Sequence, residues 1–358
     1  MSKQAKPRFQ PRGELSQLLL SVLAKDPSAD QSSPADELLR QVPTVTEAAV
    51  KKSPNVIRDD DLKLSLLILQ GLHYGDVVRC DDAWQWDPKL TQARLMIDRA
   101  FERDIRAEVE VPELPEANAE SVAQNLFELT KPGPGPSVPR FIAKHASKEQ
   151  ALEYVILRSV YTLKEADPQT WAIPFLSGRA KAALVEIQTD EYGGGDAKRV
   201  HSAIFARMMQ LLGLDNSYGA YLDQVPALTI ASFTMMGLFG MNRRLRGAMA
   251  GHYAAYEMTS SIPNKFLGDG FRRLGYGPDV TDYFDEHVEA DAVHEQIAGR
   301  DLAGGLAEQE PRLLADIMFG ANASLIIDGL GSEATLNAWD SGESALRVPE
   351  PALAGAMR

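Results

Sequence analysis

The segment HVEADAVH, residues 287–294, decides how the rest of the chain is read. It holds His287, Asp291 and His294, separated by steps of four and three residues. On an α-helix those steps place all three side chains on one face. Two imidazoles and a carboxylate on one stripe suit iron, manganese or zinc. Taken alone, the stripe reads as a solvated acidic helix face, so its meaning depends on what the chain supplies elsewhere.

Working outward, the long segments after residue 147 carry more groups of the same kind. Glu165 lies at the expected end of a helix that opens at the capping pair Ser147 and Gln150 and is stopped by Asp167-Pro168. Glu191 ends a helix expected over 178–191, before Gly193, Gly194 and Gly195. His201 sits on the next helix, which Asp196 is expected to cap and Gly213 to close. Glu257 lies on a helix over 243–261, with Ala250 and Ala254 on its side. A buried glutamate among small residues needs a partner, and a cation is one. The inventory is three carboxylates on three helices, one further histidine and the His-Asp-His stripe. It fits a carboxylate-rich two-iron site between facing helices. Each member alone has an ordinary structural explanation, and Glu165 is the weakest of them. His252 falls on a different helical face from Glu257 and is left out. No Glu-x-x-His pair occurs among the candidates, so the ferritin-like arrangement does not apply.

Helical spacing also marks 14–24, 35–52, 62–74 and 90–106, the last beginning after Asp87-Pro88. Further helices are expected near 225–240 and 281–299 and from Pro311 to about Trp339. No sustained two-residue alternation appears, so the fold class is all-α, a bundle of long helices with an N-terminal helical extension. The Pro/Gly-rich run KPGPGPSVPR, residues 131–140, is the best internal boundary. The expected organisation is a partly disordered segment with short helices over 1–60, loose over its first thirteen residues. A helical part over 61–135 packs on the metal-binding bundle over 136–340, and a loose tail follows over 341–358.

The 358 residues carry a formal net charge of −13 with 44% apolar and 24% charged residues. That balance describes a globular protein and argues against general nucleic-acid binding or docking on an anionic membrane. One cysteine, Cys80, excludes a disulfide framework and a thiolate metal site. The first residues show no secretory pattern, and the apolar run 227–241 is short for a bilayer span. A cytoplasmic location is expected.

At this point the residues resemble a known family, the haem-oxygenase-like diiron oxidases and oxygenases, also called iron-containing redox enzymes. The segments that carry the likeness are LKEADPQTWAIPFLSGRAKAALVEIQTDEYGGG (163–195), KRVHSAIFARMMQLLGLD around His201, AAYEMTS around Glu257, and HVEADAVH. LQGLHYGD (69–76) and DDAWQWDP (81–88) resemble the N-terminal helices of longer members, so the likeness runs over roughly residues 60 to 335. It implies a haem-oxygenase-like bundle with two iron ions held by Glu165, Glu191, His201, Glu257, His287, Asp291 and His294. Glu191 and His201 would come from one interrupted core helix, Glu257 from a second, and the stripe from a third. Glu165 matches an additional carboxylate of the nitrogen-oxygenating branch. The family carries either histidine or a carboxylate at the place of His287.

The resemblance further implies dioxygen as co-substrate, a small-molecule substrate, and Glu165, Glu191, His201 and Glu257 as the catalytic set. A reductase or other electron donor and a homodimer are the expected partners. Members of this fold oxygenate amines, cleave or decarboxylate carbon chains, and desaturate them, and fold does not choose among these. Glu165 favours an amine or amino-acid-like substrate. A carboxylate substrate needs a cation in the pocket; Arg243, Arg244, Arg246 and Lys181 are considered, with surface positions expected for all four. Tyr161, Tyr192 and Tyr256 are candidate supports for the ligands. The inward face of 281–299 is polar, so without cations that helix is expected to be loosely held. Two other classes stand against this reading, a metal-free enzyme of the same fold and a non-catalytic iron-binding helical protein. Seven ligand-type residues argue against the first.

Overall fold

The computed structural model describes residues 8–27, 34–74, 77–110, 113–133 and 135–347, apart from the side chains of residues 34 and 290–292. The described residues contain helices and no strand. Where the sequence has strong caps, helices begin as expected. Ser147 and Gln150 exchange hydrogen bonds at the start of α7 (Lys148–Thr162). Asp87 accepts from the amides of Lys89 and Leu90 at 2.8 and 3.0 Å to open α4 (Pro88–Glu108).

Four N-terminal helices form one shoulder of the molecule: α1 (Glu14–Leu23), α2 (Pro34–Lys52), α3 (Asp60–Tyr74) and α4. α5 (Ala119–Leu129) and α6 (Val138–Lys144) lead into the bundle. The bundle is built from α7, the single turn α8 (Asp167–Thr170), α9 (Gly178–Glu191), α10 (His201–Leu211), α11 (Ala227–Met241) and α12 (Arg246–Met258). It is completed by α13 (Ser261–Arg273), α14 (Pro278–Gln296), α15 (Gly305–Gln309) and α16 (Leu314–Asp340). Between α14 and α15 the helix continues through a π-helical stretch, Ile297–Gly304. Such wider turns recur beside functional sites.

The core is continuous across shoulder and bundle: Leu66, Phe101, Phe233, Phe239 and Phe319 all belong to one buried cluster. Its tightest seam joins α12 to α16. A Cβ at Gly251 would collide with the carbonyl of Ile317, and one at Gly320 with that of Ala248. These glycines let the two backbones touch, and that contact fixes the helix bearing Glu257. The helical segment Pro311–Asp340 is long and apolar enough by composition to cross a membrane, with a mean hydropathy of 1.5, but 61% of that window is buried against the bundle.

Several expectations are corrected. Residues 8–13 are not loose: Phe9 is buried, and Arg12 reaches the carbonyls of Leu222 and Val225 and the carboxylate of Asp60. The start of the tail is also strapped down. The amide of Ala345 donates to Glu153 and that of Arg347 to the carbonyl of Gln224, while residues 1–7 and 348–358 lie outside the described residues. α7 stops at Thr162, leaving Glu165 in the turn before α8. α10 begins at His201 itself; Asp196 accepts from the amide of Lys198 in the preceding turn and caps no helix. α13 went unforeseen because Pro263, Gly268 and Gly270 break its pattern. Pro263 falls in the first turn, where no amide donor is lost, and Gly270 lies against the carbonyl of Ile142.

Candidate metal centre

Local chain geometry brings Glu191 and His201 together. Gly193, Gly194 and Gly195 all have positive φ, at 70°, 59° and 92°. A Cβ on Gly193 would lie 2.6 Å from the backbone of Arg199 and Val200, so this turn closes only with glycine there. The closure sets His201 Nδ1 3.1 Å from Glu191 Oε2. The two atoms are close without hydrogen-bond alignment.

α14 lies across this corner. His287 Nδ1 is 2.7 Å from the carbonyl oxygen of Tyr283, one turn back, and therefore donates to it. That assigns the proton to Nδ1 and leaves Nε2 as the basic nitrogen, 4.0 Å from Glu165 Oε1. The rings of His201 and His287 have centroids 4.5 Å apart. Two turns on, His294 Nε2 lies 2.9 Å from Asp190 Oδ2 and donates to it. Its Nδ1 faces Glu257 Oε2 at 3.4 Å.

The outcome is two neighbouring groups. Glu165, His201 and His287 form one, Glu191, Glu257 and His294 the other; within each, the ligand atoms lie within 4.8 Å of one another. All six residues are buried. Asp291 is on the same helix, and its side chain lies outside the described residues.

The donor set fits a hard to borderline metal ion. Glu165 Oε1 and Glu191 Oε2 are buried and accept no hydrogen bond among the described residues. Leaving carboxylate oxygens in that state is costly unless a cation completes them. Burial and the neighbouring Glu191 push the Glu165 carboxyl well above its usual range, against His201, Arg158 and a hydrogen bond from Tyr283. Burial also acts to raise Glu191, but His201, His287 and His294 together hold it below its usual value.

Two supporting residues were not singled out from the sequence. The Tyr283 hydroxyl donates to Glu165 Oε2 at 3.1 Å. Asp190 orients His294, as carboxylates behind metal-bound imidazoles commonly do. Of the tyrosines considered, Tyr161 and Tyr256 line a cavity beside the centre, whereas Tyr192 bonds Asp167 and Thr170. His252 is buried and paired with Ser324, away from both groups. Arg244 and Arg246 pair with Glu102 and Glu310.

The cavity has a volume of about 290 Å³, near the lower end of the roughly 300–1,000 Å³ of ligand pockets. Glu165 and His287 form part of its wall, while Glu191, Glu257 and His294 do not.

An all-α bundle with two buried carboxylate–imidazole groups at its centre and a cavity alongside defines a helical-bundle protein with a candidate metal centre. Residues 152–329 match the family model described as iron-containing redox enzyme, and over that stretch, α7 to α16, the chain belongs to this family. Its all-α bundle is the haem-oxygenase-like fold of that family. A curated relative, the nitrosourea synthase of Streptomyces achromogenes subsp. streptozoticus, is 26% identical over 174 residues. That match covers 48% of this chain and 36% of the relative, so this chain accounts for about a third of the relative's length.

Proposed function

We propose that the protein binds two iron ions and uses dioxygen to oxidise a nitrogen of a small amine or amino-acid-like substrate. The observation that carries this reading is the pair of buried three-ligand groups, joined by the Glu191–His201 contact of 3.1 Å, with Glu165 and His287 of the first on the wall of a cavity. Glu165, His201 and His287 would hold one ion and Glu191, Glu257 and His294 the other. His287 would bind through Nε2 and His294 through Nδ1, because their other nitrogens are committed to Tyr283 and Asp190. The choice of nitrogen oxidation over carbon–carbon cleavage, decarboxylation or desaturation rests on Glu165 and on the printed name of the relative.

Bound iron would supply the redox chemistry with dioxygen. The chain's own part is to bind, orient and exclude water. Tyr283 holds Glu165 through one oxygen, leaving Oε1 directed into the centre. Leu157, Phe205 and Leu228 supply an apolar part of the cavity wall. Placing one oxygen of dioxygen on an amine and reducing the other to water takes two electrons and two protons from outside. A reductase or another donor of reducing equivalents therefore completes the cycle.

Anaerobic titration with ferrous iron tests the reading. The expected result is uptake of two ions per chain, then transient visible absorbance on exposure to oxygen, with uptake reduced in His294→Ala. No uptake by the wild-type chain, or undiminished uptake in that variant, sinks the two-iron reading. Uptake followed by slow oxidation without a transient favours iron binding without catalysis. Mass analysis of the product separates nitrogen oxidation from loss of carbon dioxide or of hydrogen.

A further inference from the structure

The cavity beside the centre contains two opposite charges that do not pair. Arg158, on α7, lines it and keeps part of its surface accessible there. Its guanidinium lies over the ring of Tyr161, 4.2 Å from the centroid. Among the described residues it makes no hydrogen bond and no ion pair within 4 Å. Asp328, on α16, lines the same cavity. Its Oδ1 accepts from Ser232 at 2.6 Å and from Tyr256 at 3.3 Å, while no hydrogen bond reaches Oδ2. Burial raises the Asp328 carboxyl above its ordinary range, against the Ser232 hydrogen bond, Arg158 and Tyr256. Guanidinium is always charged and presents a flat fork of donors that matches a carboxylate. A half-buried carboxylate with one fixed oxygen and one open oxygen suits an ammonium.

We propose that Arg158 and Asp328 form a subsite for a small zwitterion, Arg158 taking its carboxylate and Asp328 its ammonium, with the remainder of the ligand extending towards Glu165 and His287. This rests on the preceding reading only in treating the cavity as the substrate's. A singly charged ligand would leave one of the two groups desolvated and uncompensated and a neutral ligand both, which is how buried polar groups generate specificity. Arg158 and Asp328 belong to different helices, and Ser232 and Tyr256, from α11 and α12, fix the orientation of Asp328. Four helices thus hold the subsite, and none of its members is among the proposed ligands.

The test is calorimetric binding to the intact chain, once with chelator and once loaded anaerobically with ferrous iron. The probes are the common L-α-amino acids, their decarboxylated amines and their N-acetyl derivatives. At least one amino acid should bind about tenfold or more tighter than both of its derivatives. Arg158→Gln should abolish the preference over the amine without weakening the amine's own binding. Asp328→Asn should abolish the preference over the N-acetyl form, and Arg158→Lys should retain part of the carboxylate preference. The proposal is overturned if no amino acid binds at millimolar concentration, or if the derivatives bind as well as their parents. It is equally overturned if Arg158→Gln weakens all three ligand types alike. The wild-type comparison stands even where a variant fails to fold. Failure of iron loading leaves discrimination by the chelated chain intact, and failure of discrimination leaves iron stoichiometry untouched, so the two readings fail separately.

Discussion

The two ligand groups are alike in composition and differ in surroundings. In the group of Glu165, His201 and His287, Glu165 and His287 face the cavity, and Glu165 is steadied by the phenol of Tyr283. Glu191, Glu257 and His294 stand off the cavity, and His294 is steadied by Asp190, a carboxylate whose side chain is 57% exposed. One group is open to a substrate and the other is turned to the protein. The contrast suggests a division of labour between a position where substrate meets metal and a position that anchors metal.

Glu191→Ala is expected to have the largest effect, because Glu191 belongs to the second group and also touches His201 of the first. Bound iron should fall from two ions to less than one per chain, read by metal analysis after anaerobic loading. Retention of one full equivalent of iron would show that the groups load independently and would break the link drawn between them.

Metal loading should act next on α14, which supplies His287 and His294 to both groups. The helix already has protein partners for these rings, Tyr283 and Asp190. Ferrous iron should therefore slow amide exchange across Pro278–Gln296 more than across α12, whose seam with α16 is fixed by glycine contacts. Equal slowing of both helices would mean that the metal tightens the whole bundle and not the stripe. Asp190→Asn bears on one group alone. It should weaken binding of one of the two ions by roughly 10–100-fold, measured by competition with a chelator, and leave the other unchanged.

Much of this was legible in the sequence where local rules act alone. The glycine run after Glu191, the capping pair at Ser147 and the helical step from His287 to His294 each fix a local geometry, and the described residues follow them. What was missed depends on which helix lies opposite which. Arg158 is an unremarked arginine in a helical run until α16 sets Asp328 across the cavity, whereas Arg244 and Arg246, which looked as plausible, pair with acids elsewhere. Two signals were present and unread. Adjacent Asp190 and Glu191 at a helix C-terminus oppose the helix dipole and so call for compensation. Tyr283 stands four residues before His287, on the same helical face. The described ends of the chain, 8–13 and 341–347, were misjudged because polar composition does not reveal that Arg12 and Arg347 both find Asp60 at the start of α3.

The smallest effect expected is that of Tyr283→Phe, and it is the one that sharpens the contrast most. The change deletes a single hydroxyl that donates to Glu165 Oε2 while the ring still packs against Phe205. A hydrogen bond to a charged group contributes about 1.5–3 kcal/mol, and the fold should tolerate its loss. Because His287 is held by the backbone carbonyl of residue 283, that contact survives the substitution. Iron stoichiometry should therefore stay at two, and binding at the Asp190-backed group should not move. Only the position of Glu165 is released, so oxygen-dependent turnover should fall while chelator competition for the tighter ion is unaltered. If the variant instead loses an ion from the second group, the cavity-facing and anchoring roles are not separate, and the centre must be treated as one coupled unit.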